Sequence, residues 1–200
     1  MPVVPVPAER IARWVANFGS RHGEVTLAVS DGCLTGVADD GSAFRAHPPF
    51  SGRHDGPAEP EAFAAACDPP GVWGVLLVRK GGFAVARLEG RTLVEHKIGQ
   101  RHVQGRTKAG GQSQQRFARR RDNQARIAYE AAADHAARIL RPGVLVVGGD
   151  RAAVTEVLED RRLAGQQVVG DWLDVPDPRR RVLDDAVERA CAARVEVENA

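Results

Sequence analysis

Residues 104–126, QGRTKAGGQSQQRFARRRDNQAR, join a Gly-Gly-Gln tripeptide to an arginine-rich segment of helical character. Gly110 and Gly111 lack a Cβ, so the backbone can take positive φ there and approach a crowded partner closely. The Gln112 amide donates and accepts hydrogen bonds but does not titrate. It can orient a water or a leaving group, yet it cannot act as a general base. Ser113 is placed to cap the helix that follows. On that helix, positions 116, 119, 120 and 123 share one face, while Phe117, Ala125, Ala128, Ala132 and Ile139 trace the opposite, core-facing one. The polar stretch 99–112 is longer than an ordinary connection, which marks it as a functional loop.

Charge points to the same place. Between Arg101 and Arg126 the lysines and arginines are Arg101, Arg106, Lys108, Arg116, Arg119, Arg120, Arg121 and Arg126. They face one acid, Asp122, for a net +7 in a chain whose total is +2, which leaves −5 for the rest. A localised cationic patch on an otherwise acidic chain fits a phosphate-backbone partner, and arginine suits it through its bidentate fork. An arginine run alone is more often a solvated helix face, and a lone tripeptide is a weak signal. Their conjunction is far more specific.

Two hundred residues, 43% of them hydrophobic, suffice for one sizeable domain or for a domain with an appendage. No apolar run approaches the roughly 18 residues of a membrane span, and the first residues lack a basic segment leading into an apolar one. A cytoplasmic chain with no membrane association is expected. Cys33, Cys67 and Cys191 are odd in number and widely spaced, so reduced, structural thiols are expected, and no metal site. His96, His102 and His135 lack metal-ligand spacing, and no cofactor motif is present; VVGGD at 146–150 reads as a tight strand-to-helix turn. Asp184, Asp185 and Glu188 read as helix surface charge, and Trp73 and Trp172 as core. Arginine outnumbers lysine 25 to 3, which points to a GC-rich bacterial genome.

The remaining elements follow from periodicity and turn signals. Residues 8–19 carry Ile11, Trp14, Val15 and Phe18 at helical spacing. EVTLAVS and CLTGVAD, joined at Asp31-Gly32, read as a β-hairpin, extended by SAFRAH. The Pro- and Gly-rich residues 47–60 read as a linker. PEAFAAAC is a short helix; GVWGVLLVRK, GFAVARLEG and RTLVEHKIG form a three-strand meander. A long helix then runs from about Gln114 to Leu140, followed by strand GVLVVGG, helix AAVTEVLED, strand QQVVGDWLDV and a closing helix over 178–195. The expected architecture is α/β, a layered mixed β-sheet flanked by helices, with a small N-terminal helix and β-hairpin extension. The expected domains are 1–58 for the extension and 59–200 for the α/β domain.

GRTKAGGQSQQRFARRR resembles the signature of the archaeal and eukaryotic class I translation release factors, in which a GGQS loop is followed after two residues by R-F-A-R. The match falls on Gly110, Gly111, Gln112, Ser113, Arg116, Phe117, Ala118 and Arg119. The element order extends it from about Ala58 to the end of the chain. Residues 1–58 hold no Asn-Ile-Lys-Ser or Tyr-x-Cys element and are too short for a codon-reading domain, and no segment is left for docking a partner GTPase. The pattern is thus similar to the actinobacterial branch of the Vms-like release factors, described as stand-alone peptidyl-tRNA hydrolases. That resemblance implies codon-independent rescue on stalled or split large ribosomal subunits, with ribosomal RNA and peptidyl-tRNA as partners, and a monomer.

On this resemblance Gly110, Gly111 and Gln112 are the catalytic tip, Gln112 placing water against the ester carbonyl. Arg106, Lys108, Ser113, Arg116, Arg119, Arg120 and Arg121 would bind RNA phosphates without reading sequence. Two other functions are compatible with the same residues. One is an endonuclease removing the CCA end of tRNA; the other is a ribosome-binding module without catalysis.

Overall fold

The computed structural model describes residues 2–100 and 112–200, the stretch 112–125 as helical backbone alone. In chain order the elements begin with β1 (Val3–Pro7), α1 (Ile11–His22), β2 (Val25–Ser30), β3 (Cys33–Ala38), β4 (Ala43–His47) and α2 (Pro60–Ala65). The meander follows as β5 (Val72–Arg79), β6 (Gly82–Glu89) and β7 (Thr92–Gln100). Then come α3 (Gln112–Ile139), β8 (Gly143–Gly149), α4 (Arg151–Leu158), β9 (Gln166–Val168), α5 (Arg180–Ala190) and β10 (Ala192–Glu198).

These elements make two compact units, Met1–Pro69 with Val187–Ala200, and Pro70–Ala186. The division differs from the expected one at residue 58. The first unit keeps α2 and takes β10 as well, and the second lies between them in sequence.

In the first unit, the expected hairpin is present with Leu27 opposite Gly36, and Asp31 and Gly32 both take positive φ at its turn. The hairpin belongs to a larger antiparallel sheet ordered β1-β10-β4-β3-β2. Leu34, Ala46, Ala193 and Val195 bury one face against Ile11, Val15 and Phe18 of α1 and Phe63 of α2. Each such large side chain contributes about 1.5–3 kcal/mol on full burial. Trp14 stacks on Phe18 at 5.6 Å and meets Phe44 edge-on at 5.1 Å.

Two strands depart from the sequence reading here. The helix expected over 178–195 stops at Ala190, and the chain enters β10, because Ala193 and Val195 alternate inward while Arg194 and Glu196 point out. β1 was not expected at all; it pairs along β10 from Val3–Glu196 to Pro7–Ala192.

The second unit is the expected layered α/β arrangement. Its mixed sheet is ordered β7-β6-β5-β8-β9, with β5, β6 and β7 antiparallel and β5, β8 and β9 parallel. One face buries Leu76, Val78, Phe83, Val85, Leu145 and Val147 under α3 and α4. The other carries Val75, Leu77, Ala84 and Ala86, all buried, on the side where Arg180 of α5 meets His96 of β7. The strand expected over 166–175 is confined to the three residues of β9, with one further bridge between Gly148 and Leu173. Gly170, at φ 74°, turns the chain between them.

Candidate functional site

α3 dominates the site by its length. It runs for 28 residues, about 42 Å at 1.5 Å per residue. Its C-terminal half is the root. Ala128, Tyr129, Ala132, Ala133, Ala136 and Ile139 are all buried in the core of the second unit, as the sequence expected for Ala128, Ala132 and Ile139. Four of these six are alanines, and a face with so little side chain brings the helix backbone close to the sheet. Ion pairs flank the root: Arg138 reaches Glu95 of β7 at 3.1 Å, and Arg162 reaches Asp134 at 2.7 Å and Asp160 at 2.6 Å. All are solvated enough to add little stability individually.

Of the expected site residues, Arg106, Lys108, Gly110 and Gly111 lie outside the described residues. Gln112, Ser113, Arg116, Arg119, Arg120 and Arg121 are described as backbone positions in the first ten residues of α3. Helix α3 is described from Gln112, so Ser113 lies within the helix instead of ahead of a start near Gln114.

Where β7 ends and α3 is rooted, a cleft of about 240 Å³ lies between them. Phe83, Gly99 and Gln100 line its sheet side, and Ile127, Ala131 and His135 its helix side, with Lys97 at the rim. The Phe83 ring lies over the Gly99 backbone, where a Cβ would collide with it. The same ring stacks with His135 at 5.6 Å. Burial first, then the cations Lys97 and Arg138, hold the His135 imidazole below its ordinary range, so it is neutral at physiological pH. Sequence reasoning singled out His135 but not Phe83 or Lys97; strand alternation, which puts Lys97 and Gly99 on the same face of β7, was the signal that could have found them.

Gly149 takes φ 97° where a Cβ would strike the Val78 carbonyl, and the Asp150 carboxylate accepts from the Ala152 and Ala153 amides at 3.0 and 3.4 Å. This is a strand-to-helix turn with an N-cap, as the sequence suggested. Trp172 donates to the Gly149 carbonyl at 3.0 Å, and the Arg151 guanidinium lies 4.4 Å from its ring. Trp73 is buried and donates to the Gly90 carbonyl at 2.8 Å. Asp184 and Asp185 pair with Arg180 and Arg181 on the surface of α5.

Among the described residues, no cluster of three His, Cys, Asp or Glu is placed to hold a metal ion, and no helix is long and apolar enough to cross a membrane. The chain was also compared with known proteins. The family model described as Actinobacteria/chloroflexi VLRF1 release factor matches residues 71–196, which takes in nearly the whole second unit and the first five residues of β10. No curated protein matches the chain.

Proposed function

Because the chain belongs to the Actinobacteria/chloroflexi VLRF1 release factor family, its function is release-factor-like and tied to the ribosome, and we propose that it hydrolyses the peptidyl-tRNA ester on stalled or split large subunits without reading a codon. The observation that carries this reading is the sequence GGQS-x-x-R-F-A-R, whose residues from Gln112 onward open a 28-residue helix rooted at its far end in the core. Gly110 and Gly111 let the tip enter an RNA-lined cavity without a side-chain clash. Gln112, through its backbone N–H and its amide, orients water on the ester carbonyl and donates to the developing oxyanion. Nothing in this role requires the glutamine to titrate. The peptide–ribose bond breaks, the water oxygen becomes part of the peptide carboxylate, and the 3′-hydroxyl leaves on the tRNA.

Arg106, Lys108, Ser113, Arg116, Arg119, Arg120 and Arg121 hold phosphates of ribosomal RNA or the tRNA acceptor end and fix the approach of the tip. Function in the cytoplasm follows from a substrate that sits on the ribosome, and a monomer is the form we propose acts there. The test is incubation of the protein with purified large subunits carrying labelled peptidyl-tRNA, following peptide and tRNA separately. Full-length tRNA and free peptide are expected. Gln112→Ala should retain subunit binding while release slows by about 10²–10³-fold, the cost of losing one donor to an oxyanion. Release at the parent rate by Gln112→Ala, or a tRNA shortened at its CCA end, would refute the assignment.

A further inference from the structure

Three side chains from three neighbouring strands meet on the outward face of the first sheet. β3 begins at Cys33, one residue before the Leu34–Ala46 pair, and β4 ends at His47, which is paired with Arg194 of β10. Cys33 Sγ lies 3.2 Å from His47 Nδ1. The other ring nitrogen, His47 Nε2, is buried and lies 3.5 Å from Glu196 Oε2, within ion-pair reach but outside hydrogen-bond geometry. Glu196 is held in turn by Arg194, whose Nη1 is 2.7 Å from Oε1. Burial pushes the Glu196 carboxyl up, but Arg194 and His47 outweigh it and leave it below the ordinary range. The carboxylate is therefore charged at neutral pH and lies against the imidazole.

Thiol, imidazole and carboxylate in this order make the arrangement by which a cysteine is activated as a nucleophile. What reacts with it is decided by access. Cys33 is only 5% exposed, too covered for an acyl substrate to dock on, which leaves small oxidants as the class of reactant to consider.

We propose that Cys33 is a modification site, a thiol that small peroxides oxidise to a sulfenic acid, with His47 as proton acceptor and Glu196 as the positioning residue. The thiol gives its proton to His47 Nδ1, and the sulfur attacks one peroxide oxygen. An S–O bond forms as the O–O bond breaks. The departing oxygen takes the proton back from His47, so that hydrogen peroxide leaves as water while the sulfur is oxidised by two electrons. Like Cys67, which donates at 3.4 Å to the Phe63 carbonyl, Cys33 has a backbone carbonyl within reach, that of Asp31 at 3.8 Å, and all three thiols are buried; Cys33 has in addition the His47 imidazole at 3.2 Å. Besides Glu196 and Arg194, the charged groups around the pair are Asp31 and Arg45, which face each other at 3.4 Å, and Arg53, packed against Gly32.

The full chain is pulsed with hydrogen peroxide in the presence of dimedone, and the labelled cysteines are identified by peptide mass spectrometry. Cys33 should label at least about tenfold faster than Cys67 or Cys191. His47→Gln keeps a hydrogen-bonding side chain that cannot accept a proton. It should slow Cys33 labelling about tenfold or more and make its rate climb more steeply with pH than the parent's, because the base that takes the thiol proton is gone. Glu196→Gln should change rate and profile in the same direction by less. Equal labelling of the three cysteines in the parent overturns the proposal, whether or not the variants fold. So does a folded His47→Gln with the parent's rate and pH profile.

Discussion

Replacing Ala136 by leucine tests how the root of α3 governs its tip. Ala136 is fully buried, among Ala128, Ala132 and Ala133 on the face that lies against the sheet. Three added carbons have no space there, so the helix must tilt or lift, at about 1–3 kcal/mol for overpacking. In a chain of this size that lowers Tm by about 2–4 °C per kcal/mol. The effect at the other end is larger in proportion. From residue 136 back to residue 112 the helix is about 36 Å long, so a tilt of about 5° displaces its first residue by about 3 Å. A misplacement of about 1 Å at reacting groups can cost about 10²-fold in rate. Ala136→Leu should therefore cut peptide release from loaded large subunits by about 10²-fold or more while remaining folded at the assay temperature. Thermal unfolding and the release assay on the same preparation are the two measurements required. A variant with lowered Tm and parent-like release would show that the root does not position the tip, and an unchanged Tm would show that the alanine face is not closely packed.

Removing the α4 cap with Asp150→Ala should cost about 1 kcal/mol, read as a lower denaturation midpoint at unchanged m-value. The hydrogen bonds from Arg162 hold the Asp160 carboxyl down at about 2. A carboxyl lowered on folding contributes stability that is full above its ordinary value, near about 3.9, and is lost as pH falls toward 2; Arg162→Ala should flatten the acid unfolding curve in that window and raise the Asp160 titration seen by NMR. His135 is lowered on folding as well, so the unfolded chain protonates first, and stability should fall as pH drops below about 6.5. His135→Gln should remove part of that slope in unfolding midpoints measured from pH 7 to 5. Replacing Arg119 and Arg120 together by glutamine should reduce the salt slope of subunit binding by about 0.7–0.9 for each phosphate no longer neutralised; an unchanged slope would exclude both from the RNA-facing surface.

Strongly periodic segments could be read directly. The α1 pattern, the hairpin at Asp31-Gly32, the meander, α3 and the buried run of β8 all lie within a few residues of their expected bounds. The misses have specific causes. VVPVP reads poorly as a strand because prolines cannot donate to a ladder, yet an edge strand such as β1 tolerates them. CAARV continues a helix by propensity, since alanine and arginine are strong helix formers; only the alternation of RVEVE marked the change of period. At the candidate site, the tripeptide and the arginines were legible as residue types at a spacing, whereas the Phe83–His135 cleft depends on which residues of β6 and β7 face α3. Cys33, His47 and Glu196 were beyond sequence reasoning altogether, because only the register of β10 brings residue 196 beside the hairpin.

β10 occupies an interior position of its sheet, between β1 and β4, although it follows every other strand of that sheet in the chain. As the chain emerges from the ribosome, β1 has no neighbour to pair with and β4 is left with an unsatisfied edge until residue 198 is free of the exit tunnel. The second unit, by contrast, has all its strands in hand by Val168. The strands of the unit inserted in sequence are thus complete before those of the unit whose two segments flank it in the chain, and a product truncated anywhere before β10 would expose an open strand edge for other chains to join.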